Sequence, residues 1–343
     1  EVSSNIDDDD SDGVRALESY GANADLLLGI GSPAGAGPGN PGFSRAAPSG
    51  TTSPYGSILF QGALLGYGID IAGTVSIQGG IGEGPITLGD ISAASITIVA
   101  DGATSTRNLT AQAGSVSVDT TVGNMTLGNL SATGGNVSIQ ARGGHLVTGD
   151  ITATENYYTT EIDLLALGAV TTGALTVTDT DASAYPFSES RLDITANNAS
   201  FGTPLGGDIT VNGAVNVGAS TGVTGYYAQA YVNFYNASGS YSYDSGTGLY
   251  TGFGSGGNIV INGAVNVAAA GTGLQNNAYA SLSFNNSSYF YDYDAVTPDY
   301  VYVGGGVSTG AINVITQATA HDPTDYPNST TLADASVYST SEF

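Results

Sequence analysis

The chain writes one phrase twice, fifty residues apart: GGDITVNGAVNVGA at Gly206–Ala219 and GGNIVINGAVNVAA at Gly256–Ala269. The match extends beyond the phrase, since Phe234, Asn236, Tyr241 and Tyr243 fall on Phe284, Asn286, Tyr291 and Tyr293 at the same offset. A looser copy, GGVSTGAINVIT, follows at Gly305–Thr316. Self-similarity at a fixed period restricts a chain to repeat architectures, in which one supersecondary unit stacks on copies of itself.

Shorter units fill the stretch before it. Runs such as Thr74–Ile77, Ile96–Val99, Ser115–Val118 and Asn136–Ile139 alternate apolar and polar residues and are rich in β-branched side chains, which reads as strand. Between them a Gly-centred phrase recurs at Gly89, Gly128, Gly149 and Gly168, which sets a unit of about 20 residues and a first gap of two units. Three short strands in such a unit make one coil of a parallel β-helix, with Gly and Asn at the corners. Thr, Ser and Asn on the outer face then form ladders from coil to coil. A β-sandwich is the competing reading, because its turn signals also recur at short intervals. A sandwich has no reason to repeat its corner sequence in phase.

The segments GGNVSIQARGGHLVTGDITAT (Gly134–Thr154) and GGDITVNGAVNV (Gly206–Val217) resemble the haemagglutinin-type repeats of secreted bacterial adhesins of the filamentous-haemagglutinin kind. The resemblance covers roughly residues 73–316 and implies a right-handed parallel β-helix at the cell surface.

Composition removes several function classes. There is no Lys, the five cations are all Arg, and 30 acidic residues leave a formal net charge of −25. Nucleic-acid binding needs phosphate neutralisation, so that class is excluded, and anionic lipid is disfavoured for the same reason. No run reaches the roughly 20 apolar residues of a membrane-spanning helix. With no Cys, disulfides, thiolate metal sites and Cys nucleophiles are impossible. The start at Glu1 rather than Met reads as a removed leader, and the chain as secreted.

The sequence divides into an acidic head with a Gly/Pro-rich arm at 1–57, a solenoid at 58–318 and a tail at 319–343. Insertions are expected at about 178–192, 220–255 and 271–303. Residues 14–28 read as one short helix capped by Asp12. Alternations such as Ala230–Phe234 and Ser240–Asp244 mark the later two insertions as β-hairpins leaving the wall.

Candidate sites are few. Asp8, Asp10 and Asp12, followed by Gly13, match the front of a calcium loop, with Glu18 one residue short of the closing position. The alternative is a solvated acidic run. Tyr235, Tyr241, Tyr243, Tyr289, Tyr291 and Tyr293 lie in the aromatic insertions. They pack on the wall, contact another subunit, or stack on sugar rings. Ile58, Leu59 and Phe60 are expected to add a strand to a neighbouring copy. Asn236 and Asn286 head Asn-x-Ser sequons and are candidate glycosylation sites. His145 reads as a turn residue. No Ser/His/Asp set, phosphate loop or His pair is present to carry catalysis.

The expectation is a non-enzymatic structural subunit of an extracellular filament or sheath. Its partner is itself, stacked head to tail with the arm reaching the neighbour. Calcium is the one cofactor the sequence points to. The alternative function is a cell-surface adhesin that binds glycans through the Tyr-rich loops.

Overall fold

A computed structural model describes residues 6–7, 16–19, 26–30, 43–44, 56–60, 68–71, 74–79, 86–155, 159–181, 187–224, 226–244, 246, 249–273, 276–292, 299–319 and 332–340. All its regular elements are strands. Chain contacts divide it into two units, Glu1–Gly143 and Gly144–Phe343. Each unit contains a parallel β-solenoid with three walls, and from Gly68–Ile71 onward the chain visits the walls in rotation; before it, Ile6–Asp7 and Phe43–Ser44 pair antiparallel with Ala16–Ser19 and Gly56–Phe60. The sandwich reading fails because wall strands pair parallel, coil on coil.

In the first unit, wall 2 stacks Thr74–Gly79, Ser95–Ala100, Val116–Thr120 and Val137–Ala141. Wall 1 stacks Ile91–Ala93, Leu109–Ala111 and Leu130–Thr133, and wall 3 stacks Ile86–Leu88, Thr104–Thr106 and Met125–Thr126. The register places like on like, so Val75, Ile96, Val116 and Val137 form one buried column and Ile77, Ile98, Val118 and Ile139 the next. Period-two alternation turns every second side chain inward, and each fully buried aliphatic contributes about 1.5–3 kcal/mol. The expected double gap between Gly89 and Gly128 holds a complete coil whose corner is Arg107-Asn108.

The reading of residues 14–28 as a helix is overturned. Ala16–Ser19 and Leu26–Ile30 are strands, paired parallel with Gly68–Ile71 and Thr74–Gly79. An isolated helix of this length interrupted by Gly21 is marginal, whereas the strands gain ladder hydrogen bonds to the following coil. The solenoid therefore begins inside the stretch assigned to the arm. Gly56–Phe60, which contains Ile58, Leu59 and Phe60, also pairs with this chain's own Leu26–Ile30 rather than standing free.

In the second unit wall 2 is longer: Thr159–Ala166, Phe187–Thr195, Tyr227–Tyr235, Asn277–Asn285 and Ala333–Thr340. Wall 1 runs Ile151–Glu155, Leu175–Asp181, Val215–Thr221, Val265–Gly271 and Ile312–Ala318. Wall 3 runs Leu146–Val147, Gly168–Thr172, Gly206–Val211, Ile259–Ile261 and Val307–Thr309. The repeat of fifty is thus one coil plus one excursion between walls 2 and 3.

Those excursions are smaller than expected. Tyr227–Tyr235 is a wall strand with Ala228, Ala230, Val232 and Phe234 buried, so the alternation at Ala230–Phe234 marks the solenoid and not a hairpin. The hairpins are Ala237–Asp244 with Leu249–Gly256, and Ser287–Asp292 with Asp299–Gly304. Around the expected insertion at 178–192, Leu175–Asp181 and Phe187–Thr195 are both wall strands. The tail likewise contains the wall strand Ala333–Thr340.

Corners explain the recurrent Asn-Gly-Ala-Val phrase. A Cβ added at Gly263 would sit 2.6 Å from the amide nitrogen of Ala214 in the coil before, and one at Gly310 2.9 Å from the carbonyl carbon of Gly263. Stacked corners approach too closely for any side chain. At the corners that enter wall 3, a side-chain acceptor turns toward the next coil. Asp208 Oδ1 accepts the Asn258 amide at 2.7 Å, and Asn258 Oδ1 accepts the Gly306 amide at 3.0 Å. His145 belongs to this set, its Nδ1 accepting the Ala169 amide at 2.8 Å, which makes it the turn residue the sequence indicates. On the outer face of wall 1, Asn313 donates to Asn266 and Asn266 to Asn216, each at 2.8 Å, forming the expected ladder.

Candidate functional site: an open coil, two tyrosine hairpins and a charged wall

The last coil of the second unit differs from those beneath it. Its strands Val307–Thr309, Ile312–Ala318 and Ala333–Thr340 each end a sheet. Ile312 continues the inward column of Val265 and Val337 that of Leu282. Val265 and Leu282 are 0 % exposed, whereas Ile312 is 41 % and Val337 50 % exposed. Sequence and register make these core positions, and only the lack of a following coil in the described chain exposes them. An edge of this kind, with free backbone groups and apolar side chains together, is a template for pairing.

The hairpins pack against each other. On the second, Tyr289 stands opposite Tyr302 and Tyr291 opposite Tyr300. Tyr289 is edge-on to Tyr300 at 5.5 Å between ring centroids and tilted against Tyr302 at 6.1 Å. All three rings are largely exposed, as is Tyr243 on the first hairpin. Tyr241 and Tyr291 lie on hairpin strands, and Tyr293 lies outside the described residues. Tyr235 is separate from this group: it ends a wall strand, beside Thr195 and Asn285 in register.

The sequons do not survive as modification sites. Asn236 and Asn286 are both 0 % exposed. Asn236 accepts from Asn197 Nδ2 at 2.8 Å and donates to the Asn258 carbonyl at 2.7 Å. Asn286 donates to the carbonyls of Gly305 and Gly306 at 2.5 and 3.1 Å. These side chains close the step where each hairpin leaves the wall, and a glycan there has no space.

A charged cluster on wall 2 escaped the sequence reading. Register sets Glu161 beside Arg191 and Asp163 beside Asp193 on neighbouring strands, with Glu189 two residues before Arg191. Arg191 hydrogen-bonds Asp193 and lies 3.7 Å from Glu161, while Asn233 donates to Asp193 at 2.7 Å. The signal was present: outward positions of TTEIDLLA and FSESRLDIT carry the charges in phase. Desolvation, then the charges of Glu161 and Asp193, push the Asp163 carboxyl up to about 6. Burial raises Glu161 too, with Arg191 opposing.

Because the folded Asp163 holds its proton more tightly than the unfolded chain does, its contribution to stability is fully present below the ordinary carboxylate range. That contribution is lost as pH rises through about 6. Asp163→Asn is therefore expected to stabilise the fold at pH 7 by about 1 kcal/mol, discounted for solvent screening, and by almost nothing at pH 4. Denaturant titrations of both proteins at the two pH values measure this. An equal gain at both would show that Asp163 is not the titrating group.

Among the described residues no group of three His, Cys, Asp or Glu is arranged to hold a metal ion. The calcium candidates Asp8, Asp10 and Asp12 lie outside the described residues, and Glu18 sits on a strand, in register with Asp7 and Asp70. Comparison of the chain with family models, with curated proteins and with solved structures found no match in any of the three.

Proposed function

We infer that this chain is a structural subunit of an extracellular filament or sheath, and that copies associate head to tail through the C-terminal coil. The observation carrying this reading is the exposure of Ile312 and Val337 at positions that are core one coil earlier. A following coil would bury those columns, pair three free edges and extend the Asn216–Asn266–Asn313 ladder. A second copy of the same chain offers coils of matching pitch, and contact that does not close on itself makes a fibre. The extracellular setting rests on the likeness to haemagglutinin-type repeats. Since the N-terminal strands seat on this chain's own first coil, the arm is proposed to act as part of the docking coil.

The test is sedimentation and electron microscopy of the wild-type chain and an Ile312→Asp/Val337→Asp variant. Fibres from the first and dispersed, folded monomers from the second are expected. A wild type that stays monomeric when concentrated, or a variant that polymerises equally well, overturns the reading. A second reading, a glycan-binding adhesin, is favoured by the exposed rings of the second hairpin, since tyrosine faces stack on sugars. It requires oligosaccharide binding that weakens in Tyr302→Ala.

A further inference from the structure

We propose that the tyrosine face of the second hairpin is a site of oxidative phenol coupling, at which Tyr289 becomes covalently joined to Tyr300 or Tyr302. Three observations converge. Positions 289, 291, 300 and 302 share one face by register, and the Tyr289 ring lies 5.5 Å from that of Tyr300 and 6.1 Å from that of Tyr302. The three rings are 59, 54 and 63 % exposed, so an oxidant reaches them from solvent. The rest of the composition directs oxidising equivalents to tyrosine, for the chain has no Cys and no Trp, and its single Met, Met125, is fully buried; among the tyrosines, 289, 300 and 302 are set apart by their mutual proximity.

The same composition shows why such a link is useful. A disulfide needs Cys, and amide or imine cross-links need a Lys amine; this chain has neither. The hairpin is a two-stranded sheet, an element of marginal stability on its own. Tyrosine is the residue through which it can be stapled.

The chemistry needs a one-electron oxidant, for which hydrogen peroxide acting through a haem peroxidase is the class. Each phenol loses one electron and its hydroxyl proton, giving two phenoxyl radicals. Their ortho carbons join in one new C–C bond. The hydrogen on each joined carbon moves to oxygen and restores both rings. The two electrons and two protons released, with one peroxide, give two waters.

The experiment exposes the dilute full-length monomer to peroxidase and limiting peroxide. It reads dityrosine fluorescence and maps linked peptides by mass spectrometry. The expected product is a unimolecular link, two hydrogens lighter, joining Tyr289 to Tyr300 or Tyr302. Tyr289→Phe, near-isosteric at an exposed position, should cut the fluorescence yield severalfold. Tyr338→Phe, equally exposed on another strand, should leave it unchanged. Links that map elsewhere, or an undiminished yield in Tyr289→Phe, overturn the proposal. The measurement is made on monomer, so its outcome is independent of whether the chain polymerises.

Discussion

Phe234→Ala is expected to destabilise the second unit by about 3–5 kcal/mol, since Phe234 is the bulkiest fully buried side chain among the described residues. Phe234 is fully buried in wall 2 and stacks on Phe284 of the following coil, with centroids 5.4 Å apart and planes at 11°. Truncation removes the transfer free energy of the ring and opens a cavity beneath Phe284. It also forfeits the ring pairing, itself worth about 0.5–1.5 kcal/mol. The loss exceeds that at an ordinary Val column because no neighbour can fill the space: Ile194 below is held in register by its own strand. A shift of the denaturation midpoint, at unchanged slope, measures it. The exposed Tyr243→Ala should move stability by no more than about 0.5 kcal/mol. Equal losses at the two sites would mean that the stacked column does not form.

Asn236→Ala should cost about 2–4 kcal/mol, although it removes only a small polar side chain. Its amide joins Asn197 on one side to the Asn258 carbonyl on the other, inside the step from wall to hairpin. Taking it away strands a buried donor and a buried acceptor, each costing about 1–3 kcal/mol, with some compensation from the contacts that Asn197 and Asn258 keep. Thermal unfolding measures the loss, and the intact mass of protein from a glycosylating host should show no glycan on Asn236. A variant as stable as wild type, or a glycan on folded wild type, would contradict the burial.

Some features were legible in the sequence because they are periodic. Val75, Ile96 and Val116 announce their column through alternation and in-phase spacing. The Gly213–Gly263–Gly310 corners announce themselves because only one residue type fits there. Other features were not legible. The alternation at Ala230–Phe234, set among aromatic residues, reads as a hairpin, but alternation marks a strand without saying which sheet it joins, and Tyr227–Tyr235 belongs to the wall. Asn236 and Asn286 looked like accessible sequons, since a sequon carries no mark of burial. Glu161 and Arg191, like Asp163 and Asp193, lie thirty residues apart along the chain but side by side across two strands; the sequence shows charges in phase on each strand, and register decides which of them meet.

The sequence by itself determined the class of fold and the coil repeat. A twofold alternation, interrupted by glycine at a steady interval, leaves stacked parallel coils as the arrangement that buries its apolar residues. The tertiary structure decided which residues are partners and which remain without a neighbouring coil. Ile312 and Val265 read identically as letters in a pattern. One is core and the other is surface because stacking continues past Val265 and stops, in the described chain, after Ile312.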